Sequence, residues 1–99
     1  MIPGSLSETK AATSEQQTLV DMFKSEVENG TGVSYDEFKA LKYSTQVVAG
    51  VNYYVSVKVD STKDDVLFLR IFKPLPGAGD AKLIGYLTGK NSSDDLVIF

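Results

Sequence analysis

From Leu41 to Ile71 the chain keeps its apolar and β-branched residues on odd numbers: Leu41, Tyr43, Thr45, Val47, Tyr53, Val55, Val57, Val59, Leu67, Leu69 and Ile71. The even positions Lys42, Ser44, Gln46, Asn52, Ser56, Lys58 and Arg70 are polar. Strand side chains alternate between faces with a period of two, so this pattern demands antiparallel strands with one buried face. The strands are expected over 39–47, 52–59, 66–73 and 82–88, with a short final one near 95–99. "DSTKDD", "KPLPGAGD" and "KNSSDD" supply the turn chemistry between them. Phe68 and Phe72 interrupt the polar face, which predicts that this face is partly covered.

The alternation alone does not show where the chain turns between Leu41 and Val59. A single strand over that stretch would be about 60 Å long at roughly 3.3 Å per residue. A compact domain of this length has a radius of gyration near ~13 Å. The chain must therefore fold back within Gln46-Val47-Val48-Ala49-Gly50, where Gly50 alone tolerates a positive φ. Turns are usually built from Gly, Pro, Asn, Asp or Ser. Three apolar residues at this tip call for a use outside the fold.

Before the sheet, residues 1–13 are polar and irregular apart from Ile2, Pro3 and Leu6. Ser14 with Gln17 matches a capping box, and Leu19, Val20, Phe23 and Val27 form one apolar stripe at helical spacing. The stripe is expected to pack on the sheet rather than on a partner. Asn29-Gly30-Thr31-Gly32 stops the helix. "SYDEF", Ser34 to Phe38, could cap a second short helix, but the alternation beginning at Leu41 competes with it. One helix followed by a meander predicts an α+β fold, with the helix laid across one face of an antiparallel sheet. At 99 residues, one domain over 1–99 is expected.

The chain has no cysteine and no histidine, which excludes Cys–His pairs, the usual serine triad and the common zinc sites. Asp64-Asp65 and Asp94-Asp95 lie in turn-like sequence and are expected to be solvated charges. Gly89-Lys90-Asn91-Ser92 fails as a phosphate loop, because Asn91 stands where Ser or Thr is needed. No catalytic residue, metal or cofactor is expected. A net charge of -3 without a basic cluster argues against nucleic acid and anionic membranes as partners. The opening residues lack the basic and apolar regions of a signal peptide, and no run is long enough for a membrane span. With no cysteine, a reducing compartment, the cytoplasm, is expected.

Two further stretches place apolar groups where turns or chain ends are expected. Leu75 lies between Pro74 and Pro76 and is followed by Gly77; Ile2-Pro3-Gly4 opens the chain. In a meander the first and third hairpins emerge at the same end of the sheet. If the N-terminal segment reaches that end, three apolar points form an edge, and an edge fits a cleft. Proline lowers the ordering cost of such binding.

These stretches carry a family resemblance. Met1-Ile2-Pro3-Gly4, "TQVVAGVNYYVSVKV" from Thr45 to Val59, "LRIFKPLPG" from Leu69 to Gly77 and the closing Phe99 are similar to the stefins. Stefins are type 1 cystatins, intracellular inhibitors of papain-like cysteine proteases. The resemblance covers nearly the whole chain. It implies the cystatin fold, a curved antiparallel sheet wrapped around one helix. It also implies a one-to-one, reversible and competitive complex with papain or a cathepsin. Gln46, Val47, Val48, Ala49 and Gly50 would straddle the active-site cleft, Leu75, Pro76 and Gly77 would contact its primed side, and Ile2 and Pro3 would lie along non-primed pockets. Gly4 would let the backbone pass close to the protease. A monomer is implied, with a domain-swapped dimer as an accessible second state. Val51, Pro74 and the apolar "LVIF" ending depart from the family pattern and bear on affinity and oligomerisation. The rival is a binding module of the same fold whose tips serve another partner.

Overall fold

The computed structural model describes residues 5–99. Five antiparallel strands lie in sequence order: β1 (Lys10–Ala11), β2 (Lys39–Val48), β3 (Gly50–Lys58), β4 (Val66–Lys73) and β5 (Lys82–Lys90). Two helical segments, α1 (Ser14–Asp21) and α2 (Lys24–Thr31), separate β1 from β2. The radius of gyration is 13.0 Å, so the chain does fold back between β2 and β3.

The helix begins at Ser14 as the sequence suggests, but its cap lies one residue earlier. Thr13 is the N-cap, and its backbone N–H donates to Gln16 Oε1 at 2.8 Å, making a capping box with Gln16 rather than one between Ser14 and Gln17. Gln17 instead ties the helix to the start of β2. It donates to the Phe38 carbonyl at 2.8 Å and accepts from the Ala40 N–H at 2.9 Å. The expected single helix is interrupted at Met22–Phe23, where the Phe23 N–H bonds the Val20 carbonyl and tightens the turn. Val20, Phe23 and Val27 nevertheless share one core, so the apolar stripe crosses the break. Gly32, at φ 76, closes α2 in the left-handed conformation. Residues 34–38 form no helix; the Tyr35 N–H is held by the Glu28 carboxylate.

The main core lies between the helices and one face of the sheet, with Val55, Val57, Leu67, Leu69 and Ile71 packed against Val20 and Val27. Those sheet residues are the odd-numbered ones of the alternation. Leu41 departs from it. The β2–β3 register shifts between Ala40 and Lys42, so Leu41 is the extra residue of a β-bulge. Ala40 joins the helix-side core, while Leu41 packs with the far-face cluster.

The far face is not a solvated polar face. Tyr54, Val66, Phe68 and Leu96 form a second buried cluster there, with Leu6, Leu87 and Phe99 packed on it. Ser44, Asn52 and Ser56 are buried as well. Phe68 had signalled some cover, and the cover comes from both ends of the chain. Residues 91–99 form no strand; they cross this face, so the expected strand near 95–99 is absent. The Phe99 ring meets Tyr54 edge to face at 5.5 Å, and Arg70 donates to the Phe99 carbonyl. Edge strand β5 is irregular, with register shifts opposite Arg70/Ile71 and Val66/Phe68, and Lys82 and Lys90 stand at its ends. Bulges and terminal lysines discourage further strand pairing.

Candidate functional site

The β2–β3 turn is as tight as a hairpin allows. Val47 pairs with Val51 and Val48 with Gly50, leaving Ala49 alone at the apex. Gly50 takes φ 121, which lets the chain reverse there. Val47 and Val48 are 56% and 44% exposed. The valines do not curl back onto their own sheet.

The β4–β5 loop holds the second tip. Leu75 accepts a hydrogen bond from the Ala78 N–H at 2.9 Å, with Pro76 and Gly77 between them and Gly77 at φ 83. This is the signature of a type II turn, with proline at its second position and glycine at its third. Leu75 is 56% exposed, held outward by a stiffened backbone.

The two tips are neighbours because β3 pairs with β4. Val51 lies opposite Lys73, the last residue before Pro74. Gly50 is buried, and a β-carbon on it would stand 2.7 Å from the Lys73 carbonyl oxygen and 3.0 Å from the Phe72 ring. Gly50 therefore faces its own β4, and its missing side chain lets the two hairpins close up. A groove of about 890 Å³ runs behind them, lined by Gly50, Val51, Leu75 and Pro76 on one side and by Leu19 of α1 and Met22 just after it on the other. Lys73 and Asp80, of opposite sign, flank the second tip.

The third expected component, Ile2, Pro3 and Gly4, lies outside the described residues. The segment leading from it is held along the outer edge of β2. The Ser7 N–H donates to the Thr45 carbonyl at 2.8 Å, and the Thr45 N–H returns a bond to Ser7 Oγ at 2.9 Å. Lys10 pairs with Tyr43, so from Lys10 back to Ser7 the chain runs toward the first tip. Ser7 was not singled out by sequence; a lone serine in an irregular segment gives no signal.

Gln46 is set apart from the other tip residues. Its Oε1 accepts from Asn52 Nδ2 at 2.9 Å and from the Tyr54 hydroxyl at 3.2 Å. Asp60, in the turn between β3 and β4 at the opposite end of the sheet, is the titratable group whose carboxylate is held below its usual range, first by the Thr62 N–H and then by the Thr62 hydroxyl. Among the described residues no group of acidic, His or Cys side chains could hold a metal ion.

A Cystatin domain model matches residues 4–93. The chain belongs to the cystatin family. Cystatin-A of Homo sapiens is 46% identical over 100 residues, covering both chains completely. Leukocyte cysteine proteinase inhibitor 1 of Sus scrofa is 39% identical over 100 residues, covering all of this chain and 95% of the relative. Stefin-3 of Mus musculus is 39% identical over 95 residues, covering 96% of this chain and 90% of the relative. These relatives place the chain among stefin-type cystatins, a family of protease inhibitors and not of enzymes. The sheet folded over its helices is the cystatin architecture, here with the helix in two segments. Among the described residues no helix of this cystatin is long and apolar enough to cross a membrane.

Proposed function

We propose that this cystatin is a reversible, competitive, tight-binding inhibitor of papain-like cysteine proteases such as papain and the cathepsins. The observation that carries the reading is the pairing of two exposed apolar tips, Val47–Val48 and Leu75, at one end of a rigid sheet. Such an edge enters a cleft without presenting a peptide bond to the nucleophile, so no acyl-enzyme forms. Gln46, Val47, Val48, Ala49 and Gly50 would block the cleft at the catalytic pair. Leu75, Pro76 and Gly77 would extend the contact to the primed side. Ile2, Pro3 and Gly4 would cover the non-primed side. The whole chain acts as one inhibitory domain, a cytoplasmic monomer that binds one protease molecule.

Titration of papain with this cystatin, with active-site-blocked papain as a competitor, tests the reading. Stoichiometric loss of activity and a one-to-one complex are expected. No inhibition at micromolar cystatin would leave the alternative, a binding module serving another partner.

The tips carry little charge, and Lys73 and Asp80 beside them offset each other. Inhibition should therefore depend weakly on salt. The inhibition constant should change less than about tenfold between roughly 50 and 500 mM salt, across which the screening length falls to a few ångströms. A larger change would point to an ionic interface.

Removing residues 1–4 should weaken the complex and leave the melting temperature within a few degrees of the full chain. The cost should appear in the dissociation rate, as it usually does within one interface. Equal affinity of the truncated chain for every papain-like protease tested would remove Ile2 and Pro3 from the interface.

A further inference from the structure

Asn52 is buried to 4% exposure on the far face of β3, in line with buried Tyr54 and Ser56. Burying an amide is unfavourable unless its hydrogen bonds are made. A leucine at this position would enlarge the neighbouring apolar cluster without that cost. Asn52 stands directly opposite Gln46, and its Nδ2 donates to Gln46 Oε1 at 2.9 Å. Tyr54, two residues further along the same face, directs its hydroxyl to the same oxygen at 3.2 Å. The Arg70 guanidinium lies 5.8 Å from the Tyr54 ring centre, and the Phe99 ring packs against its edge, so Tyr54 is itself held in place.

Only two pairs, Val47↔Val51 and Val48↔Gly50, separate this amide pair from the apex. Valine pairs specify register weakly, because one apolar β-branched residue substitutes for another after a slip. A one-residue slip would send every tip side chain to the opposite face. An amide pair with one member buried and the other half-buried favours one register, since a slip leaves the buried Asn52 amide unbonded. Polar pairs of this kind are best attested as register devices.

We infer that Asn52 and Tyr54 are positioning residues of the inhibitory edge, acting through Gln46 to hold Val47 and Val48 in the register that faces the protease. The inference rests on the inhibitor reading, and its test separates the two. First, hydrogen exchange is measured on the free chain, without protease. Asn52→Leu should speed exchange of the Val47 to Val51 amides at least tenfold relative to Val55 and Leu69, which stay protected. Second, binding to papain is followed by its rates. Asn52→Leu should raise the dissociation rate about tenfold, and Tyr54→Phe, which keeps the ring, about threefold. In a Gln46→Ala background the same Asn52→Leu change should add less than about twofold, because the group it acts through is gone. A merely structural residue would lower stability in both backgrounds and show no such coupling in the dissociation rate.

Unchanged tip exchange in both Asn52→Leu and Tyr54→Phe, or effects on dissociation that multiply in the double variant, would overturn the positioning role. If Asn52→Leu fails to fold, Tyr54→Phe and its double variant with Gln46→Ala decide by the same two measurements. Failure of the unmodified chain to inhibit papain would overturn the inhibitor reading and with it the role at the edge, whatever the exchange data show of the register.

Discussion

Replacing Gly50 by glutamate should weaken inhibition of papain at least a hundredfold and lower the melting temperature by roughly 5–20 °C. The second effect follows from the first residue of β3 being buried against its own neighbour. A β-carbon there meets the Lys73 carbonyl at 2.7 Å, and the backbone holds φ 121, where side chains are strained. Strain of this kind costs about 1–3 kcal/mol, and each kcal/mol moves the midpoint of a domain this size by about 4–8 °C. Carbonyl and ring cannot yield without moving the end of β4, so the substitution parts the two hairpins. The wedge then loses its shape even in molecules that stay folded. From sequence alone, Gly50 is expected to resist substitution through its φ and the cleft wall. The structure adds Lys73 and Phe72 as the groups in the way. Inhibition assays on folded Gly50→Glu, with thermal unfolding alongside, decide the matter. A variant that inhibits normally once folded would make Gly50 a folding residue only.

Heating or mild denaturant should convert the monomer into a domain-swapped dimer that does not inhibit papain. The turn is poorly specified by its own residues: Val47, Val48 and Val51 favour extended backbone, and Ala49 alone forms the apex. If Gly50 straightens, β2 and β3 run on as one strand. The helices and β2 of one molecule then pack on β3, β4 and β5 of another. Every core contact between Val20, Val27, Val55 and Leu69 is remade across the pair, so the exchange costs little. The first tip no longer exists in that dimer, which is why it should be inactive. Replacing Val48-Ala49 by Asn-Gly should favour the closed turn, suppress the dimer and weaken inhibition. Size-exclusion chromatography after heating, with the papain assay on each peak, is the measurement. A dimer as inhibitory as the monomer, or an Asn-Gly variant that dimerises as readily, would show that the hinge lies elsewhere.

The sequence by itself determined the sheet and its tips. Alternation from Tyr43 to Ile71 is a property of neighbouring residues, so it is visible without the fold, and the structure keeps it in β2, β3 and β4. The length argument placed a turn within Gln46 to Gly50, and the apolar turns at Val47–Val48 and Leu75 are exposed as composition implied. Local preference was a weaker guide at element ends. Thr13 and Ser14 are both good caps, and which one serves was settled by Gln16 and Gln17, one closing the box and the other reaching Phe38 and Ala40.

What only the tertiary structure decided depends on residues distant in the chain. Ser44, Asn52 and Ser56 are polar on alternate positions and signal a wet face, yet Leu6, Leu96 and Phe99 arrive from the two ends to cover it. Phe68 and Phe72 signal that this face is partly covered, but no local pattern says by what, because the cover comes from the two ends of the chain, distant in sequence from most of what it buries. The bulge at Leu41 is equally silent, since it is the packing of Ala40 under the helix and of Leu41 beneath the chain ends that shifts the register. That the two tips share one end follows from the meander, but how closely they approach is decided by one absent side chain at Gly50 and the carbonyl of Lys73 that stands beside it.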